Sequence, residues 1–404
     1  MNVLRGKYQF IGKENKHSAS HSGMRKRFCW LALVLFGFIS NPLSAEYELG
    51  NYGALAVDVE AGVEYASNIA LNSFEQDDVV FNFMPLLHYR SAQGQFHVEA
   101  YAGMNFIRYD VNDENDAEDL KSQLVLEFPY GAGRYDKRYD LKFGIGYNEN
   151  TKANSAIQAI ASINETNVDL ISRYYYTDRS YFQSGILYLN RESSSESFFD
   201  LYEASIPLEV FYDYTEDLSY GVGYRYRMTN IDSTTAEADS VDHAFYLAAV
   251  GELDPSVTME IRAGMQLREF DASEYSSESD FFMDASLLWQ ISELTWMKVS
   301  LGNEFGTTIS NQSREALYAR FKLRHSFTEQ WDGIVGFGYN KSDYTQSIGS
   351  RNDEQLLFEL GAVYTLIEQR LSVEGHFGYR NRESTESFSE YDASRTRLSI
   401  SYLF

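Results

Sequence analysis

From Arg395 to Phe404 the side chains alternate without a break. Leu398, Ile400, Tyr402 and Phe404 fall on one side of the segment, and Arg395, Arg397, Ser399 and Ser401 on the other. A period of two puts each set on its own face of a β-strand. An apolar face that ends in an aromatic residue, with nothing after it to cover that face, suggests contact with lipid. A last strand must still pair its outer edge, and a bilayer core holds no water to satisfy free N–H and C=O groups. Pairing with the first strand closes a barrel. The expected fold is therefore all-β, a transmembrane up-and-down antiparallel barrel.

The same alternation recurs from Gly53 onward in about eighteen segments, with sixteen to twenty as the range. The count should be even, because the first strand must run antiparallel to the last. The first segment is 54–66, where Val57, Val59, Ala61, Val63 and Tyr65 oppose Asp58, Glu60, Gly62 and Glu64. Around 138–148, Tyr139, Leu141, Phe143, Ile145 and Tyr147 oppose Asp140, Lys142, Gly144 and Gly146. Segments 181–191 and 241–251 are apolar on both faces, and Pro85 and Pro207 sit where a ladder N–H is expected, which suggests bulges or twists.

The links alternate too. Short ones at 91–94, 131–137, 177–180, 215–217, 252–256, 292–293, 328–330 and 368–370 are separated by longer, acidic, Ser/Asn-rich ones. Outer-membrane barrels have this asymmetry, with short turns in the periplasm and long loops outside. Aromatic residues gather near the short links, among them Phe96, Phe128, Tyr174, Tyr181, Tyr212, Tyr214, Tyr220, Trp289, Trp296, Phe327, Trp331 and Tyr364. They are expected to form an interfacial girdle.

Ahead of the strands lies an expected leader, residues 1–45, with the barrel occupying 46–404. Arg25, Lys26 and Arg27 form a basic stretch, 28–39 an apolar core, and Leu43-Ser44-Ala45 a small-residue cleavage site, so Met24 is a candidate start. The sole cysteine, Cys29, falls inside this leader, which removes disulfides and thiol chemistry from the mature chain. No apolar run of eighteen or more follows the leader, which excludes a helical membrane protein. Of 34 Lys/Arg and 59 Asp/Glu, seven bases and one acid lie in 1–45, leaving 27 bases against 58 acids and a net charge of −31. So negative a chain excludes nucleic acid as a partner and suits divalent cations bridging to anionic lipid headgroups.

With the apolar face outward, the candidate lumen or solute-contacting residues are Arg225, Arg227, Arg262, Arg268, Arg320, Arg324, Arg380, Arg382, Arg395 and Arg397, with Lys322 beside them. Closure is expected to bring Arg395 and Arg397 against Asp58, Glu60 and Glu64 as an ion ladder at the seam. These charges either pair to fill a wet interior or form an electropositive strip that guides an anionic solute. Link 149–163, with Ala153, Ala156, Ile157 and Ile160, suits a short helical turn, either folding back into the lumen as a constriction or standing as a local surface cluster. His88 and His97 lie at matched distances from the 91–94 turn and are candidates for cross-strand neighbours. No catalytic constellation, metal site or cofactor motif stands out.

The segment Tyr65-Ala66-Ser67-Asn68-Ile69, followed by Asp77-Asp78-Val79 and an alternating strand, resembles the opening of the putative beta-barrel porin 2 family. Ala66 and Ser67 stand where that family commonly has two acids. Many of its members are encoded in exopolysaccharide gene clusters, and the family has no catalytic residues. The resemblance implies an outer-membrane channel for passive passage of hydrophilic solutes, with export of an exopolysaccharide as its task. The alternative is a non-conducting barrel whose acidic loops serve adhesion or envelope structure. Either would sit in the outer membrane of a Gram-negative bacterium. The expected partners are lipid and lipopolysaccharide, periplasmic polysaccharide-export components, and the barrel-assembly machinery acting through the C-terminal strand.

Overall fold

A computed structural model describes residues 47–92, 94, 96–128, 139–154, 159–193, 198–232, 239–273, 275–308, 310–345, 351–368 and 370–404. Ser44–Phe404 is one compact unit; the leader and the link at 131–137 lie outside the described residues. The strands are β1 (Tyr47–Glu48), β2 (Ala54–Ala66), β3 (Asp78–Arg90), β4 (His97–Tyr109), β5 (Ala117–Phe128), β6 (Tyr139–Asn154), β7 (Ala159–Thr177), β8 (Ser180–Ser193), β9 (Leu201–Asp213) and β10 (Leu218–Ile231). They continue as β11 (Ser240–Asp254), β12 (Val257–Phe270), β13 (Glu278–Ser292), β14 (Thr295–Thr308), β15 (Gln312–Ser326), β16 (Trp331–Thr345), β17 (Arg351–Ile367), β18 (Leu371–Ser384) and β19 (Tyr391–Leu403).

Apart from the two-residue β1, which only flanks β2, each strand pairs antiparallel with the next, and β19 pairs with β2. Eighteen strands thus close on themselves. At the seam Tyr402 lies opposite Val59 and Arg397 opposite Glu64, and Phe404 donates its N–H to the Val57 carbonyl at 2.7 Å.

The register carries the face assignment round the barrel. On β11, Phe245 and Leu247 point outward and are 62% and 69% exposed, while their neighbours Ala244, Tyr246 and Ala248 are buried inside. The outward positions through the middle of the strands are uncharged. Among the described residues, outward charges such as Arg108 and Glu118, which pair at 2.5 Å, occur only toward the long-loop end. An arginine or lysine facing lipid at the midplane costs about 2–4 kcal/mol, which is the physical reason for that exclusion.

The aromatic girdle forms at the short-turn end through stacked pairs. Phe96 lies on Phe128 with centroids 4.7 Å apart, and Trp331 lies on Tyr364 at 4.7 Å. Tyr181 and Trp296 are corrections: Tyr181 points inward and is buried, and the register puts Trp296 on the inward face opposite Arg324. The prolines interrupt pairing without shifting register. β3–β4 pairs are missing at Met84 and Pro85, and β8–β9 pairs at Ile206 and Pro207, but the same register resumes on either side. Register shifts occur instead beside short turns, at Tyr175/Thr177, Glu252/Asp254, Gln290/Ser292 and Thr365/Ile367. Gly251 serves one such turn: its φ is 130°, and a Cβ there would lie 1.9 Å from the Asp217 carbonyl oxygen.

Link 149–163 is the largest departure from expectation. Its described residues continue β6 and β7 as a hairpin, paired from Glu149/Asn164 to Asn154/Ala159, with no helical turn among them. Of the residues that suggested a helix face, Ala153 and Ile160 pair with each other, while Ala156 and Ile157 lie outside the described residues.

Candidate functional site: the barrel interior

The interior is filled along β8 to β13. Gly223 on β10 leaves room for the Tyr246 ring, since a Cβ there would come within 2.3 Å of it. Tyr246 then packs with Tyr181, Phe211, Ala244, Ala248 and Phe282 as an apolar cluster on the lumen side of β8 to β13. This explains why β8 and β11 are apolar on both faces.

Above the cluster a buried carboxylate, Asp242, joins two arginines. Arg227 reaches it through Nε at 2.8 Å and Nη2 at 2.6 Å, and Arg268 through Nε at 2.6 Å and Nη2 at 2.8 Å. Arg227 also donates to the Phe305 carbonyl, and Arg268 to Ser313 Oγ at 2.7 Å while lying over the Phe305 ring. On the other flank, Glu209 accepts from Arg262 at 2.7 Å, Gln183 at 2.7 Å and Tyr246 at 3.2 Å. Low dielectric strengthens each of these bonds and makes any unpaired member costly, so the networks are close to fully satisfied.

The predicted arginines therefore divide into four groups. Arg227, Arg268 and Arg382 point inward but are only 5%, 0% and 4% exposed, so they offer a solute no free surface. That corrects their assignment as solute-contacting residues. Arg382 is held by Asp353. Arg225 is likewise engaged, with Glu304 at 3.2 Å and over the Phe282 ring, and Arg324 pairs with Asp332 at 2.5 Å.

At the seam Arg395 lies 3.5 Å from Glu64, and Arg397 pairs with Glu60. Asp58 stands apart from this ladder, opposite Leu403 in the register. Among the described residues Arg320 and Arg380 make no ion pair; Arg320 lies 5.4 Å from the Tyr318 ring centre.

Open space lies along the other side. A cavity of about 360 Å³ occupies the short-turn end between β2 and β5, lined by Asp58, His88 and Tyr101. A second, of about 430 Å³, follows beside Glu60, Glu64, Glu359, Glu374, His376, Arg380, Arg395 and Arg397. A third, of about 220 Å³, shares Glu64, Arg395 and Arg397 with the second and reaches Asp119 and Lys152 at the long-loop end. The lining mixes both signs of charge. His88 lies opposite Tyr101 in the register while His97 lies opposite Glu127, so the two histidines are not cross-strand neighbours. No group of three potential metal ligands occurs among the described residues.

The long-loop mouth is narrowed by elements that sequence alone did not place. β6 leaves β5 after Lys121/Asn148, and Asp119 then accepts from the Thr151 N–H and hydroxyl, each at 2.8 Å. Beyond that tether Ala153 packs on Leu71, Tyr391 and Ala393, the last two being inward residues of β19. The hairpin thus leans into the barrel past the four strands that separate β6 from β19.

Loop 67–77 meets it there. Asn68, fully buried, donates to the Asn72 carbonyl at 2.6 Å and accepts from the Asn72 N–H at 3.2 Å, and Ser67 exchanges bonds with Ser394 at 2.9 Å. The Tyr65–Ile69 motif is therefore a clasp that fixes the first loop to the seam.

A closed barrel with a lipid-compatible waist and a polar, partly open interior defines an outer-membrane β-barrel of the porin type, located in the outer membrane of a Gram-negative bacterium. Residues 202–402 match the model of the family described as putative beta-barrel porin 2. This is the family suggested by Tyr65–Ile69, although the match itself lies beyond that motif.

None of the curated proteins matches the chain. Similar solved structures include OpdK of Pseudomonas aeruginosa with vanillate, at 13% identity over 86% of this chain and 98% of that one, TM-score 0.46. OpdQ of the same organism is similar at 11% identity over 86% and 97%, TM-score 0.47. These distant likenesses add nothing to the strand pairing described above. Family and fold point to a channel rather than an enzyme.

Proposed function

We propose that the barrel is a passive channel for hydrophilic solutes and that its cargo is a secreted polysaccharide leaving the periplasm. The observation that carries this reading is the run of three cavities with polar groups in their walls along β17–β19 and β2–β6, from the short-turn end to the long-loop end, opposite the packed side. A strip of this kind suits an extended chain threading past one wall better than a bulky solute filling the section. Arg380, with no carboxylate partner, and the seam arginines give the strip its cationic points.

Conductance in planar bilayers tests the channel, and loss of surface polysaccharide on deletion of the gene tests the cargo. Replacing Arg380, Arg395 and Arg397 with Gln is expected to lower anion preference; unchanged selectivity removes the arginines from the role. The inward-leaning hairpin favours the second reading, a non-conducting barrel acting in adhesion or envelope structure, which a silent bilayer and normal secretion would support. On either reading the partners we propose are lipopolysaccharide at the acidic loops and the barrel-assembly machinery at β19, joined on the first by periplasmic export components.

A further inference from the structure

We propose that the short-turn vestibule is a binding subsite for one uncharged sugar unit, the place where a saccharide chain first engages the wall. This rests on the channel reading above. The cavity, about 360 Å³, falls in the range of small-ligand clefts, about 300–1,000 Å³. Its floor is aromatic: His88 and Tyr101 face each other across β3 and β4 with ring centres 6.0 Å apart. Its sides interleave a carboxylate, Asp58, and an amide, Gln123, the latter opposite Tyr101 on β5.

The rim charges cancel. Arg90 lies 3.3 Å from Glu99, which also takes His97 Nε2 at 2.9 Å. What remains unsatisfied is a ring nitrogen: His88 Nε2 is buried and has no hydrogen-bond partner. A buried polar atom left unpaired is costly, and a turn of the ring toward the cavity would let a ligand hydroxyl, able both to donate and to accept, satisfy it.

Alternating donors and acceptors beside an aromatic face, with little net charge, is the chemistry that holds a polyol, whose hydroxyls need both kinds of partner and whose C–H face packs on a ring. A cation would need more ligands, since the described residues place no three potential ones together. An anion would meet Asp58 and Glu99 with Arg90 already engaged.

The test uses the full barrel in planar bilayers with maltohexaose as the neutral probe and hexagalacturonate as the charged one, each added to one side and then the other. Maltohexaose is expected to interrupt the current when added from the short-turn side. His88→Ala and Tyr101→Ala should each weaken that block by about five- to tenfold. Tyr101→Phe should keep most of it, and the salt conductance should not change. Heat-modifiable migration on gels verifies that each variant is folded, and His88→Gln stands in where His88→Ala is not.

Should the barrel carry no current, the channel reading falls by itself. Calorimetry with maltohexaose on the detergent-solubilised barrel then decides the subsite, which stands if binding is present and is lost in His88→Ala. Absence of maltohexaose binding, binding of hexagalacturonate alone, or variants that bind like the parent would each overturn it.

Discussion

Asp242→Asn is the substitution that best isolates what holds the filled side of the lumen together. The wild-type carboxylate, 3% exposed, accepts four bonds of 2.6–2.8 Å from two guanidinium groups whose side chains are 6% and 0% exposed. Replacing it with an amide keeps the volume but removes the counter-charge and turns one acceptor into a donor facing cations. Arg227 would keep only Glu304 at 3.4 Å, Glu203 at 3.9 Å and a carbonyl, and Arg268 would keep no carboxylate at all. Breaking a buried pair by removing one partner costs about 3–5 kcal/mol, because the other charge stays desolvated and uncompensated.

The control is Glu64→Gln at the seam, whose partner Arg395 is 31% exposed and in reach of water. That change should cost less than about 1 kcal/mol. Urea unfolding of the barrel in lipid vesicles, followed by the fluorescence of Trp289, Trp296 and Trp331, measures both; these three are the tryptophans left after the leader. Equal losses for the two variants, or a loss below about 1 kcal/mol for Asp242→Asn, would refute the claim that the interior network is a desolvated core.

Other consequences can be checked in the same assay. Leu247→Arg puts a charge on the lipid face and should cost about 2–4 kcal/mol, whereas Ser286→Arg, on the lumen face of β13, should cost less than about 1 kcal/mol. Gly223→Ala drives a methyl group to 2.3 Å from the Tyr246 ring and should cost about 1–3 kcal/mol through overpacking. Leu71→Asp buries a carboxylate against Tyr391 and Ala393 and should pry the β6–β7 hairpin off the seam. Mean single-channel conductance should then rise; an unchanged value would mean that the hairpin does not restrict the mouth.

The strand plan was legible because its signal is local. Alternation between lipid and lumen is enforced residue by residue by the cost of a misplaced charge, so the limits of β2 and the pairing of the last strand with the first could be anticipated from the chain itself. The facing of Arg395 and Arg397 toward acids of β2 followed from the same parity. Parity says which way a side chain points but nothing of what it meets.

Only the closed barrel decided that Arg227 and Arg268 share Asp242, that Tyr246 rests over Gly223, and that the β6–β7 hairpin reaches β19. Those contacts join residues far apart in the chain, and they depend on how far the wall curves and where one strand departs from its neighbour. The doubly apolar faces of β8 and β11 were the one local trace of the filled side. They became intelligible once β13, two strands along the same wall from β11, supplied Phe282 to pack against.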